Sequence, residues 1–124
     1  MSIDGTSDNS LLTLSSVSSS GTVTFTNPGT SLKLQLGDGA DQLTVTSLDD
    51  GFAGKLTLNG EAGDDVIDAS AISIATRFNG SRGNDTLTGG SAGDTLSGGS
   101  GEDLLRGGAG NDRIQGQGNS LDTL

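Results

Sequence analysis

The sequence predicts an all-β fold: a right-handed parallel β-solenoid whose longer, β-helix-like coils lead into shorter ones. Three observations predict it. From Gly80 the chain repeats itself every nine residues. Upstream, short segments of alternating polarity lead into more widely spaced motifs around Asp41 and Asp65. The 124 residues include 22 Gly, no Trp, no Tyr and only 3 Phe, so a two-layer core with aromatic anchors is not expected.

The repeats come first. Gly80–Thr88 reads GSRGNDTLT, Gly89–Ser97 GGSAGDTLS, Gly98–Arg106 GGSGEDLLR and Gly107–Gln115 GGAGNDRIQ. The sixth position is Asp85, Asp94, Asp103 and Asp112; the eighth is Leu87, Leu96, Leu105 and Ile114. A fifth unit ends in Asp122, Thr123 and Leu124, one residue out of step. Each unit therefore predicts a glycine-rich turn followed by a short strand with one inward aliphatic residue.

Upstream the same signature recurs more widely. LGDGADQLT puts Asp41 and Leu43 in the sixth and eighth positions, and GEAGDDVID puts Asp65 and Ile67 there. Alternation predicts strands over Leu32–Leu36, Lys55–Leu58 and Thr76–Phe78. Before residue 30, Leu11–Val17 and Thr22–Thr26 read as strands, the latter followed by a turn at Asn27-Pro28-Gly29, and Met1–Ser10 as a polar start. The expected organisation is one continuous solenoid, with an irregular, longer-coil part over 1–79 and the nonapeptide part over 80–124.

The net charge is −10, with 16 acidic and 6 basic residues. Such a chain repels phosphate backbones, which argues against a nucleic-acid partner. No apolar run is long enough to span a membrane. Residues 1–20 lack the basic and apolar regions of a signal peptide. The absence of Cys means no disulfides.

Bound cations are the natural counterweight to these carboxylates. Glycines at the first, second and fourth positions permit φ > 0 and leave carbonyls bare. Calcium takes six to eight oxygen ligands at about 2.3–2.6 Å and accepts carbonyls beside carboxylates. The candidate metal ligands are the carboxylates of Asp85, Asp94, Asp103 and Asp112, with backbone carbonyls around Gly83, Gly90, Gly99, Gly101, Gly108 and Gly110. Asp65, Asp41 and Asp122 extend the set. Two nonapeptides on opposite sides make one coil, so Asp85 and Asp103 share one edge, and Asp94 and Asp112 the other. Few inward aliphatics oppose the entropy of ordering so much glycine, so 80–124 is expected to be disordered without Ca²⁺ and to fold with it. The upstream coils carry more inward Leu, Val, Ile and Phe and are expected to hold better without metal.

These residues resemble the repeats-in-toxin (hemolysin-type) family of bacterial secreted proteins, strongly over Gly80–Gln115 and more loosely over Leu36–Thr88. The resemblance implies a calcium-binding β-roll that folds on meeting extracellular calcium. It also implies a secreted or cell-surface parent that leaves through the type I secretion machinery, and the chain is expected to be a piece of that larger protein. Two repeats depart from the pattern: Ala92 stands at the fourth position of the second, and Ser81 and Arg82 at positions two and three of the first.

The leading functional reading is thus a non-catalytic calcium-folded module. A polysaccharide-modifying enzyme (an epimerase or lyase) would need a base and charge stabilisers, and the chain has no His and no Tyr. An accessory or adhesin surface for an acidic polysaccharide is a third reading. Lys33, Lys55 and Arg77 recur at equal intervals, a spacing that could stack them as a basic ladder, although solvated outward positions that relieve the carboxylate columns are the favoured reading. Ice binding through Thr86, Thr88, Thr95 and Ser97 fails, because Leu104, Arg106 and Arg113 interrupt any flat threonine array.

Overall fold

A computed structural model describes residues 2–3, 10–13, 24–25, 31–46, 48, 52, 54–117 and 121–123, with backbone only before residue 31 and after residue 120. Among these residues every regular element is a strand: β1 (Ser2–Ile3), β2 (Ser10–Thr13), β3 (Thr24–Phe25), β4 (Ser31–Asp38), β5 (Gln42–Thr44), β6 (Lys55–Ala62) and β7 (Val66–Asp68). They continue with β8 (Thr76–Arg82), β9 (Thr86–Thr88), β10 (Thr95–Ser100), β11 (Leu104–Arg106), β12 (Arg113–Gln115) and β13 (Leu121–Thr123).

The strands alternate between two parallel sheets. One has the order β12-β10-β8-β6-β4-β2, the other β13-β11-β9-β7-β5, and β1 pairs with β3 apart from both. Every pairing is parallel and joins a strand to its equivalent one coil away, which is a parallel β-solenoid, as expected. The predicted strands at Leu32–Leu36, Lys55–Leu58, Thr76–Phe78 and in all four nonapeptides are present. Of the early expectations, Ser10–Thr13 and Thr24–Phe25 are strands; the rest of Leu11–Val17 and the turn at Asn27-Pro28-Gly29 lie outside the described residues.

Register fixes the coil lengths. Lys33 faces Thr57, Thr57 faces Arg77, Arg77 faces Thr95 and Thr95 faces Arg113, so the coils shorten twice along the axis and then stay equal. The uneven lengths break the basic ladder. The equal intervals between Lys33, Lys55 and Arg77 fall between the lengths of the two coils they cross, and match neither. Lys55 therefore faces Ser31, two positions aside from Lys33. Arg77 does share a column with Lys33, but Thr57 stands between them.

The core is a stack of columns between the sheets. Leu34, Leu58, Phe78 and Leu96 are buried on one side; Leu43, Ile67, Leu87 and Leu105 face them from the other. Ile114 closes the first column, half-buried. Alternation along β4, β6 and β8 sends the intervening side chains outward. Phe52, Ile72, Leu48 and Ile74 fill the longer upstream connections that follow β5 and β7. The nonapeptide coils lack these extra residues, so each brings only two aliphatic side chains to the interior.

Candidate metal centre

The turns between the six-stranded and the five-stranded sheet carry one buried aspartate per coil. Asp41, Asp65, Asp85 and Asp103 are all buried and form a single column. The stacking is held by the carboxylates. Oδ1 of Asp65 accepts the N–H of Asp41 at 2.9 Å, Oδ1 of Asp85 that of Asp65 at 2.9 Å, and Oδ1 of Asp103 that of Asp85 at 3.0 Å. Their backbone carbonyls accept the next strand's first N–H, as in Thr86 to Asp65 at 2.7 Å. The second carboxylate oxygens behave differently. Oδ2 of Asp65 and of Asp85 are buried and receive no hydrogen bond.

Position one of each repeat explains where those oxygens sit. A Cβ built on Gly60, Gly80, Gly98 or Gly107 would collide with Oδ2 of the aspartate five residues later, Asp65, Asp85, Asp103 or Asp112. The first-position glycines do not use the positive φ that glycine permits. Their missing side chain makes room for the carboxylate instead. Among the described residues positive φ is confined to positions two and four: Gly37, Gly99 and Gly108 at the former, Gly39, Gly63, Gly83, Gly101 and Gly110 at the latter, with φ from 94° to 133°. Glu61 and Ser81 adopt the same conformation at position two, with φ of 83° and 85°, despite carrying a side chain.

Carbonyls stack beside the carboxylates. The position-four N–H of Gly63 donates to Arg82 O at 2.8 Å and that of Gly83 to Ser100 O at 2.9 Å, which uses the position-three carbonyls. The position-four carbonyls of Gly39, Gly63 and Gly83 press against the Cα of the next coil's fourth glycine, where any side chain would collide. Position five adds an outer ladder that the sequence reading missed. Asp64 Oδ1 accepts the Asn84 N–H and Asn84 Oδ1 the Glu102 N–H, each at 2.8 Å. The signal was there in the sequence, as Asp, Asn and Glu at one repeat position.

The opposite edge is shorter. Register places Asp94 in the column of Leu32, Leu56 and Thr76, so carboxylates begin there only with Asp94 and continue with Asp112. Asp94 is buried, with Oδ1 accepting the Thr76 N–H and Oδ2 the Gly90 N–H, both at 2.8 Å. Its own N–H donates to Asp112 Oδ1 at 2.8 Å. The Gly89–Asp94 turn also differs in backbone, since neither Gly90 nor Ala92 has positive φ. A side chain at Ala92 disfavours the left-handed conformation at position four, while Gly90 departs from it with no side chain of its own. Asp122 falls outside both columns. It stands opposite Leu105 in β13, and its side chain lies outside the described residues.

Electrostatics follow from burial and stacking. Burial pushes the Asp85 carboxyl up to about 6; the Asp65 N–H works against it, and the charges of Asp65, Asp103 and Asp64 add to it. Asp65 is raised by burial, opposed by the Asp41 N–H, with Asp41 and Asp64 adding. Asp94 is raised by burial, against the N–H groups of Thr76 and Gly90. Among the described residues no three carboxylates converge on one point. A metal on this edge therefore has to take backbone oxygen as well, and the hard, all-oxygen donor set without His or Cys fits Ca²⁺.

The model of the RTX calcium-binding nonapeptide repeat matches the chain in 4 copies, over residues 57–71, 75–105 and 88–119. No curated protein and no solved structure matches it. The match runs from within β6 to β12 and takes in the buried Asp65, Asp85, Asp94 and Asp103, whereas Asp41 and the left-handed Gly37 and Gly39 lie before it. Repeats of this kind bind calcium ions. Over residues 57–71 and 75–119 the chain accordingly matches the RTX calcium-binding nonapeptide repeat, in agreement with the resemblance read from its motifs.

Proposed function

We propose that the chain is a non-catalytic, calcium-folded module of a secreted bacterial protein. In this reading 80–124 depends on metal and 1–79 is its continuous, longer-coil support. The observation that carries it is the pair of buried Oδ2 atoms on Asp65 and Asp85 that receive no hydrogen bond inside a column of like charges. Buried charge without a counterion is costly, and a cation between coils removes both the missing contact and the repulsion.

Asp65, Asp85 and Asp103, with carbonyls around Gly83, Gly99 and Gly101, are the ligands on the first edge, and Asp41 extends it. Asp94 and Asp112, with Gly90, Gly108 and Gly110, form the second and weaker edge. Calcium supplies the opposite charge and the coordination; the chain supplies stacked oxygens held at coil spacing. Asp122, displaced to the position opposite Leu105, is left out of the set.

Coupling of folding to calcium suits export. The module would stay unfolded where calcium is scarce, pass through a type I channel as part of its parent, and fold outside. No helix among the described residues is long and apolar enough to cross a membrane.

The test is far-UV circular dichroism during a Ca²⁺ titration of chelator-stripped protein, with Mg²⁺ as control. A cooperative gain of β signal with Ca²⁺ alone is expected. A full β signal in chelator, unchanged by Ca²⁺, would sink the reading.

A further inference from the structure

The basic residues of this acidic chain are segregated. Four of the 6, Lys33, Lys55, Arg77 and Arg113, lie exposed on the outer face of the six-stranded sheet. The register stacks Lys33, Thr57, Arg77, Thr95 and Arg113 in one column. Two positions along each strand it stacks Gln35, Asn59, Asn79, Ser97 and Gln115 in another. No carboxylate occupies either column. The first acid beyond them is Glu61 at the turn, which accepts a hydrogen bond from Gln35 Nε2 at 2.6 Å and marks the rim. A chain with 16 acids thus presents one flat face of cations, amides and hydroxyls.

The spacing of that face has a chemical counterpart. Neighbouring strands lie about 4.8 Å apart, so Lys33, Arg77 and Arg113 recur every second coil, roughly 9.6 Å. One strand spacing is close to the length that a pyranose adds to an extended 1,4-linked glycan. Such a chain turns over at each sugar, so the carboxylates of a polyuronate return to the same side every second residue. The cation column then meets the carboxylates, and the amide column offers paired donors and acceptors to ring hydroxyls. Nucleic acid fits less well. Among the described side chains there is no exposed stacking platform, since Trp and Tyr are absent and Phe52 and Phe78 are buried.

We propose that the outer face of the six-stranded sheet, through Lys33, Arg77 and Arg113 with the adjoining amide column, binds an extended acidic glycan along the solenoid axis. The surface is separate from the aspartate edges and rests on the calcium reading only in needing the folded form.

The experiment is calorimetric titration of the full chain, held at saturating Ca²⁺, with a short oligogalacturonate. A neutral 1,4-linked glucan of equal length and single-stranded DNA serve as comparison ligands. Replacing Lys33→Gln, Arg77→Gln and Arg113→Gln together should weaken oligogalacturonate binding by about tenfold or more, the loss of several charge-assisted contacts. Arg77→Gln alone should weaken it by roughly threefold on the same grounds. Arg106→Gln, on the other sheet, should leave it unchanged. The calcium-induced circular dichroism of all these variants should match that of the unaltered chain, which separates failure of this surface from failure of calcium-coupled folding. Equal loss in Arg106→Gln, equal binding of the neutral glucan, preference for DNA, or binding that persists in the triple variant because calcium merely bridges the glycan to acidic edges would each overturn the proposal.

Discussion

With Asp85 as a calcium ligand, as proposed, its carboxylate would oppose the metal-free fold and support the calcium-bound one. Its Oδ1 is used by the Asp65 N–H, while its Oδ2 is buried without a donor. Asp85→Asn keeps the Oδ1 acceptor and removes the charge. It should raise the β signal in chelator, by relieving the cost of burying that charge, and it should also raise the Ca²⁺ concentration at the folding midpoint by about tenfold or more, since a carboxylate ligand is lost. A change in the same direction under both conditions would contradict the assignment. The pH dependence follows from the same group. Its folded-state pKa is pushed up to about 6 from 3.8, so in chelator the folded form holds the proton more tightly than the unfolded chain. Stability conferred by that proton is present below the unfolded value and lost as pH rises through about 6. Acidification in chelator through this window should therefore favour folding of this coil, read as a gain of β signal. In calcium the order reverses, because the ion needs the carboxylate; acidification through the same window should weaken binding.

At the scale of the turn, three glycines per repeat do two different jobs. Positions two and four take the left-handed conformation, and position one leaves space for the carboxylate five residues later. The Gly89–Asp94 turn lacks the pattern: Ala92 occupies position four and Asp94 Oδ2 is already capped by Gly90. Ala92→Gly should restore the left-handed geometry, free that oxygen and lower the calcium midpoint, read in the same titration. Gly98→Ala should do the reverse. Its Cβ would collide with the Asp103 carboxylate, and calcium-induced β signal should be lost or need far more calcium. A Gly98→Ala variant that folds like the unaltered chain would show that carboxylate position to be unimportant.

Across the whole molecule, the distribution of aliphatic side chains divides stability along the axis. The upstream coils add Val45, Phe52, Ile72 and Ala69 to their two core columns, whereas the nonapeptide coils do not. Hydrogen exchange in chelator should show amides of β10, β11 and β12 exchanging freely while those of β4 and β6 stay protected, and calcium should protect all of them. Uniform exchange along the axis would mean that the solenoid folds as one unit. Charge is divided as well, with carboxylates stacked along the edges and four of the six cations gathered on one sheet face, so that the proposed metal and polyanion sites would occupy separate surfaces.

The sequence by itself determined the strands, the inward residues and the aspartates, because one residue type at one repeat position has one environment in a solenoid. It also pointed to calcium, since glycine carbonyls beside carboxylates suit a hard cation. Only the tertiary structure decided which side chains stack. Coils of unequal length take Lys55 out of the column that equal spacing suggests, and put Arg77 and Arg113 in line with Lys33. Register likewise set Asp94 after a run of Leu32, Leu56 and Thr76, which shortens one carboxylate edge, and put Asp122 opposite Leu105. The physical reason is that spacing along a chain is local, whereas a column is a sum over every loop between its members, and each inserted residue in a turn changes neighbours that lie far apart in sequence.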